Sequence, residues 1–483
     1  MHHDTHNLTF LHWHSITGLF PGVYLTVKMR PVKLDSIPED ILIHILLFRI
    51  TVEFELTIGK DPMSFLLNIS HTNRALRKLA LSTPCLWSTL SIVIDYSKSC
   101  CESEHPEELR PRCDGLLNLF RLWIERSGDS PLNYEFIICT GAQITYDVFE
   151  LFLREKNRWK SMSFYFDVIT SYTPVFQFEL TDMPCLQNFK LISSGTNPME
   201  KGIDLSKPTQ LRCLYLHPVD SSQWRTIMET IHTQQLTKLY LGLTAARTLA
   251  VADPNFLTSL GTFTNLKRLK FDLYEMDRSE SDVVWSGPPV LLPNLTMLVL
   301  GQFCGKLMKY LTTPSLVSLS IHTKKDDGSY LHSYLRRSNS PLEIMQLVIG
   351  FPEPDNPLLI LREVPNLKTL SLIHGGGHGE RRGLFDFWSC ISVKDSSTVV
   401  LLPKLMELHY NIPHHSRDMD EEVILLAQAV LSRKNYSEDF HFHLHGGFEF
   451  SADFPHHNKI LLISTIDECD RDHCHLAELF DFT

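Results

Sequence analysis

At 483 residues the chain exceeds one compact core, and the expectation is about two to four domains or one elongated array. Hydrophobic residues make up 43% of it, which excludes a disordered polar chain, and no apolar run approaches the about 20 residues of a membrane span. The net charge of −11 argues against a general nucleic-acid binder, which needs a basic excess to displace counterions.

The eleven cysteines form an odd, scattered set, which fits reduced thiols in cytoplasm or nucleus better than a disulfide framework. Residues 1–30 are moderately apolar but are interrupted by His12 and His14 and lack a basic start. They read as a disordered leader rather than a signal peptide.

The stretch from Ile37 to Leu46, IPEDILIHIL, begins as a helix should. Ser36 can cap it, Pro38 has its φ set for the first turn, and Glu39 and Asp40 suit the positive end of the helix dipole. Ile41, Leu42, Ile45 and Leu46 then fall on one apolar face. A second stripe, Leu66, Ile69, Leu76, Leu79 and Ala80, has Arg74, Arg77 and Lys78 on its wet side and stops at Pro84. About 50 residues is near the lower limit for a self-sufficient core, so these helices need something to lean on.

The opening IPEDIL and the closing string from Ile69 to Trp87, ISHTNRALRKLALSTPCLW, resemble an F-box of the form common in large fungal families. Two departures stand out. Leu76 replaces the usual Trp of the third helix, and TVEFELTIGK from Thr51 to Lys60 lengthens the join after the first. The resemblance implies that residues 33–90 form a small all-α module that binds a Skp-type linker protein and, through it, a cullin. By position the contacts are Ile37, Pro38, Ile41, Leu42, Ile45, Ile69, Ser70 and Leu76. Leu86 and Trp87 match the closing pair and are expected to pack the module onto the repeats.

Residues 91–130 read as a connection: a strand in SIVID from Ser91, an acidic surface loop from Cys100 to Glu108, and a helix from Leu116 to Gly128. PLNYEFII from Pro131 to Ile138 alternates like a strand. Helix, Ser-Gly stop and strand resemble the unit that comes after the F-box in those fungal proteins.

A phrase then recurs, with apolar residues at its first, fourth and sixth places. It starts at residues 159, 186, 211, 236, 266, 295, 316, 344, 367 and 405, so that successive starts lie 21 to 38 residues apart. Most intervals fit a leucine-rich repeat, in which a short strand buries its apolar side only by stacking on the next. The fold class is therefore α/β: the helical module, then an irregular leucine-rich-repeat solenoid with a parallel sheet over 131–412. Over 413–483 a helix from Asp418, a strand from Phe440 and a tail would cap it. The Asn or Cys usual after such strands is missing; Val219, Thr244, Tyr274, Phe303 and Lys324 stand there instead.

Catalytic motifs are lacking: no G-x-x-x-x-G-K-[ST], G-x-S-x-G or H-E-x-x-H occurs. HGGGHGERRG from His374 reads as a loop between repeats, and Cys469, His473, Cys474 and His475 match no zinc-finger spacing. No cofactor or metal is implied, and neither nucleic acid nor membrane is an expected partner. The third, fifth and seventh places face outward and give Asn188, Lys190, Cys213, Tyr215, His217, Lys238, Tyr240, Arg268, Lys270, Ser318, Ser320 and His322; among them Lys190, Tyr215, Lys238, Tyr240, Arg268 and Lys270 make a basic and aromatic patch suited to an acidic protein segment.

Together with the resemblance, these readings imply a non-catalytic adaptor of an SCF-type ubiquitin ligase (Skp, cullin, F-box), whose repeats choose the protein substrate. The alternatives are a repeat scaffold with a helical cap and no ligase role, and an enzyme whose site is assembled only in space.

Overall fold

The computed structural model describes residues 37–49, 53–57, 74–95, 106–138, 143–166, 183–193, 205–206, 208–219, 221–244, 254–274, 287–301, 304–323, 327–349, 357–374, 387–389, 391–392, 401–411, 420–445 and 468–470. The leader, Ile69, Ser70, the acidic stretch up to His105, the glycine-rich run after His374 and the tail after Asp470 lie outside them.

The fold is mixed α/β with one large parallel sheet. Its strands are β1 (Glu53–Thr57), β2 (Thr89–Asp95), β3 (Leu132–Ile138), β4 (Trp159–Phe166), β5 (Asn188–Ser193), β6 (Cys213–Val219), β7 (Lys238–Thr244) and β8 (Arg268–Tyr274). After the short β9 (Val290–Leu291) come β10 (Met297–Leu300), β11 (Leu311–Thr312), β12 (Ser318–Thr323) and β13 (Ile344–Ile349). β14 (Thr369–His374), β15 (Glu407–Asn411), β16 (His441–His445) and β17 (Glu468–Asp470) complete the series. Fifteen of these strands lie side by side in chain order, while β9 and β11 pair separately as a two-stranded sheet.

The phrase read from the sequence marks the buried side. Trp159, Met162 and Phe164 of the first copy are fully buried, as are Leu236, Leu239 and Leu241 of the fourth. Helices behind the sheet close this core. Trp224 from Ser221–Thr230 meets Phe256 from Pro254–Leu260 at 5.0 Å, and Phe256 meets Phe271 of β8 at 5.7 Å. Such neighbour-to-neighbour burial lets a long sheet grow without one large globular core.

Four sequence expectations are corrected. The segment from Thr51 to Lys60, read as a lengthened join, contains β1, which pairs with β2 in parallel. Alternating Phe54 and Leu56 suit a strand once an edge is beside them. The helix expected from Leu116 begins at Pro106, inside the predicted acidic loop. Proline at a first turn followed by Glu107 and Glu108 is itself a helix start.

The phrase placed at Ile344 is out of register by two. Leu342, Met345 and Leu347 are the buried set, with Met345 opposite Leu319 on one side and Leu370 on the other. Both triplets satisfy the pattern, and the neighbouring strands decide between them. Starts then fall at 316, 342 and 367, which makes the spacing more even. Finally, the array begins before residue 131. Trp87, Leu90 and Ile92 are buried at the first, fourth and sixth places of one more phrase.

The missing Asn ladder has a substitute at the other end of the strands. Asn265 Nδ2 donates to Gln234 O at 2.6 Å, and Asn294 Nδ2 donates to Thr264 O at 2.8 Å, each from the residue just before the phrase. Backbone rungs run beside them. Thr237 O accepts from Lys267 N at 2.8 Å and Arg268 N at 3.0 Å, and Lys267 O repeats the pattern with Thr296 N and Met297 N. Strand starts are thus tied to their neighbours at each step.

Candidate binding face

On β5 to β8 the third and fifth places point away from the core, because alternate residues of a strand face opposite ways. Register then sets them in rows. Lys190, Tyr215, Tyr240 and Lys270 are successive cross-strand partners, and so are Asn188, Cys213, Lys238 and Arg268. The six residues singled out in the sequence are therefore brought together.

Their contacts are internal as well as adjacent. The Tyr215 and Tyr240 rings stack at 3.6 Å between centroids. Lys190 Nζ lies 4.9 Å from the Tyr215 centroid and 4.8 Å from that of Tyr165, and Lys270 Nζ lies 4.6 Å from that of Tyr240. The row thus runs cation, ring, ring, cation, with each ammonium over a ring face. Tyr240 is only 3% exposed, so it serves as the floor of the row rather than as a projecting contact.

Asp272, at the seventh place of its phrase, ties one end of this row. Tyr240 OH donates to its Oδ2 at 2.5 Å, and Lys270 Nζ lies 3.3 Å from the same oxygen. Burial and the neighbouring Asp272 carboxylate push the Tyr240 hydroxyl well above its ordinary pKa, so it remains a donor. Burial raises the Cys213 thiol, although Lys238, Lys190 and Arg268 pull in the opposite direction. His217 and His322 are both lowered by burial, against the opposing pull of Asp272.

The sequence reading left out Tyr165, Asp272 and the two glycines that make room for this end, Gly242 and Gly301. All four occupy the seventh place of the phrase. Reading that column as carefully as the third and fifth would have found them.

At the other end of the array, Leu42 N donates to Pro38 O at 3.0 Å and begins the Glu39–Arg49 helix. Pro38 is exposed, Ile37 is half-buried and Ile41 is 47% exposed. Leu42 and Leu76 are half-buried and pack on the protein's own core. The Ile45 side chain, Ile69 and Ser70 are outside the described residues. Leu86 and Trp87 are fully buried. Trp87 Nε1 donates to Ala80 O at 2.6 Å, and its ring meets Trp123 edge-on at 4.8 Å, which ties the Arg74–Ser82 helix to the Pro106–Arg126 helix.

Among the described residues no group of three or more His, Cys, Asp or Glu is placed to hold a metal, and no helix is long and apolar enough to cross a membrane. Compared with known proteins, the chain matches no protein-family model and no curated sequence.

Proposed function

We propose that this chain is the substrate-recruiting adaptor of an SCF-type ubiquitin ligase. Its N-terminal helices bind a Skp-type linker and through it a cullin, and the outward face of the sheet holds a protein substrate. The resemblance of residues 37–87 to an F-box is the starting point. The observation that carries the reading is the solvent-facing corner at Pro38 and Ile41, an apolar edge left open where the resemblance requires a docking surface. The later strands, read as irregular leucine-rich repeats, supply a second surface with cations in neighbouring rows. The adaptor works without catalytic residues of its own, by raising the effective concentration of substrate beside the ligase. Ile37, Pro38, Ile41, Leu42, Ile45, Ile69, Ser70 and Leu76 are the proposed linker contacts.

Co-purification tests this directly. A Skp-type linker should come down with the wild-type chain and be lost from Ile41→Glu, a change at an exposed site that leaves the fold intact. A linker that fails to bind the wild type rejects the adaptor role.

A second reading, a repeat scaffold with a helical cap and no ligase role, is favoured by one observation. Leu42 and Leu76 pack on the chain's own core, and β1, which lies between their helices in sequence, is part of the main sheet. The same co-purification separates the two.

A further inference from the structure

A separate row of side chains runs along the edge where the strands begin. Lys160, Gln187, Arg212, Thr237, Lys267 and Thr296 hold the second place of six successive phrases. The backbone fixes their order, because each N–H donates to the carbonyl of the residue before it in the row. Gln187 N donates to Lys160 O, Arg212 N to Gln187 O, Thr237 N to Arg212 O and Lys267 N to Thr237 O, all at 2.8 Å, and Thr296 N donates to Lys267 O at 2.9 Å.

Cations and neutral residues alternate along this row, and they are used differently. Gln187 Nε2 donates to Gln210 Oε1 at 3.4 Å, Thr237 Oγ1 to Arg212 O at 3.1 Å and Thr296 Oγ1 to Lys267 O at 3.0 Å. Lys160, Arg212 and Lys267 are exposed, and among the described residues their head groups take part in no hydrogen bond or ion pair. The nearby Arg158 is already committed to Glu155, at 2.9 Å. No Asp or Glu stands in 157–160, 184–187, 209–212, 234–237, 264–267 or 293–296, around the start of each phrase, in a chain of net charge −11. Farther on, the row passes Val317 and reaches Glu343 and Lys368, which pair with each other at 2.9 Å and close the cationic stretch.

Spacing decides what fits along this edge. Adjacent strands are about 4.8 Å apart, which sets successive cations roughly 10 Å apart at the backbone. Same-side residues of an extended peptide repeat every ~7 Å and fall out of step with that interval. Seven residues of an α-helix advance about 10.5 Å and return to nearly the same face. Lysine and arginine side chains are long enough to absorb the small difference.

We infer that this edge docks an α-helix of a partner protein, laid along the row with acidic residues at i, i+7 and i+14 against Lys160, Arg212 and Lys267. The inference does not rest on the ligase reading.

The test uses the full chain and labelled alanine-rich peptides of equal charge, read by fluorescence anisotropy at low salt. One helical peptide has glutamates at i, i+7 and i+14, and a second has them at i, i+5 and i+10, spread around the helix. A third keeps the aligned glutamates but has two prolines that prevent a helix. The aligned helix should bind at least about fivefold more tightly than either and weaken as salt rises. Lys160→Gln, Arg212→Gln and Lys267→Gln should each lower its affinity about two- to fivefold, the range of exposed ion pairs, while Lys368→Gln leaves it unchanged. Arg212→Glu should lose the aligned peptide and bind one with lysine at i+7 instead. Circular dichroism checks that each variant folds, and the peptide series needs only the wild-type chain. No binding, equal affinity for the three peptides, tighter binding of single-stranded DNA of the same charge, or failure of the lysine peptide to rescue Arg212→Glu overturns the inference. Linker co-purification is read separately, so a chain that binds linker but not the aligned helix loses this edge and keeps its ligase role.

Discussion

The imidazole of His217 occupies the space that a side chain at Gly242 would need. A Cβ built on Gly242 would stand 1.8 Å from His217 Cδ2. Across the next strands the arrangement repeats, because a Cβ on Gly301 would stand 1.7 Å from Asp272 Oδ1. Large and small residues alternate along this row, which lets His217 and Asp272 lean sideways over their neighbours. Gly242→Ala should therefore cost about 1–3 kcal/mol as an overpacking change. In the background of His217→Ala the same substitution should cost much less. A double-mutant cycle by denaturant unfolding measures the coupling, and additive costs would show that the imidazole is not the obstacle.

Acidification should weaken this part of the molecule. Burial holds His217 and His322 below the ordinary histidine pKa of about 6.5, outweighing the pull of Asp272 on each; for His217, Lys270 also opposes protonation. A group with a lowered folded pKa binds its proton first in the unfolded chain. Its contribution is complete above the unfolded value and declines as pH falls toward and through the folded one. From about pH 7.5 to about pH 5.5 the wild type should lose more stability than the His217→Gln, His322→Gln double variant. Parallel denaturation curves at both pH values check it, and identical losses would assign the pH response to other groups.

Much of the array was legible because its signal is periodic. Leu236, Leu239 and Leu241 are spaced so that one face of a short strand is apolar, and the structure buries all three. The register of β13 was not legible, since Leu342-x-x-Met345-x-Leu347 and Ile344-x-x-Leu347-x-Ile349 both fit the phrase. Strand β1 was hidden in a segment that has no meaning without β2 beside it. For the candidate face, alternation identified the outward residues, but only register could show that Tyr240 is covered by Tyr215 and Lys270. Asp272 was passed over because nothing local links the seventh place of one phrase to a hydroxyl in the phrase before.

Trp87 links the Arg74–Ser82 helix to the Pro106–Arg126 helix. Its indole N–H satisfies Ala80 O, one of the last carbonyls of the Arg74–Ser82 helix, while its ring sits between Trp123 and the Arg126 guanidinium, 4.5 Å from its centroid. Trp87→Ala should cost about 3–5 kcal/mol locally. Trp87→Phe should cost less, because it keeps a ring but loses the hydrogen bond. In a stack whose members touch only their neighbours, the damage should stay near that end. Hydrogen exchange should show lost protection in the Arg74–Ser82 helix and β2 with β12 to β14 unchanged. A uniform loss along the sheet would mean that the array unfolds as one unit.

Arg433 is the corresponding tie at the far end. It lies on the Asp420–Tyr436 helix and is 2% exposed, yet each of its three guanidinium nitrogens donates a hydrogen bond. Nε donates to Ile391 O at 2.7 Å, Nη1 donates to Leu402 O at 2.8 Å, and Nη2 donates to Leu401 O. Burial lowers its pKa to about 10, which leaves it charged at neutral pH. Leu402 has a φ of 53°, a left-handed conformation that a leucine adopts only when its surroundings hold it there. Arg433→Met would keep the bulk while leaving three carbonyls without this donor, and should cost about 2–4 kcal/mol. Arg433→Lys keeps the charge but cannot span the three acceptors, so it should recover only part of the loss. Exchange protection in β15 and β16 is the readout, with β5 to β8 as the internal control. Full recovery by lysine would show that charge alone, and not the planar fork, holds Leu401 and Leu402 in place.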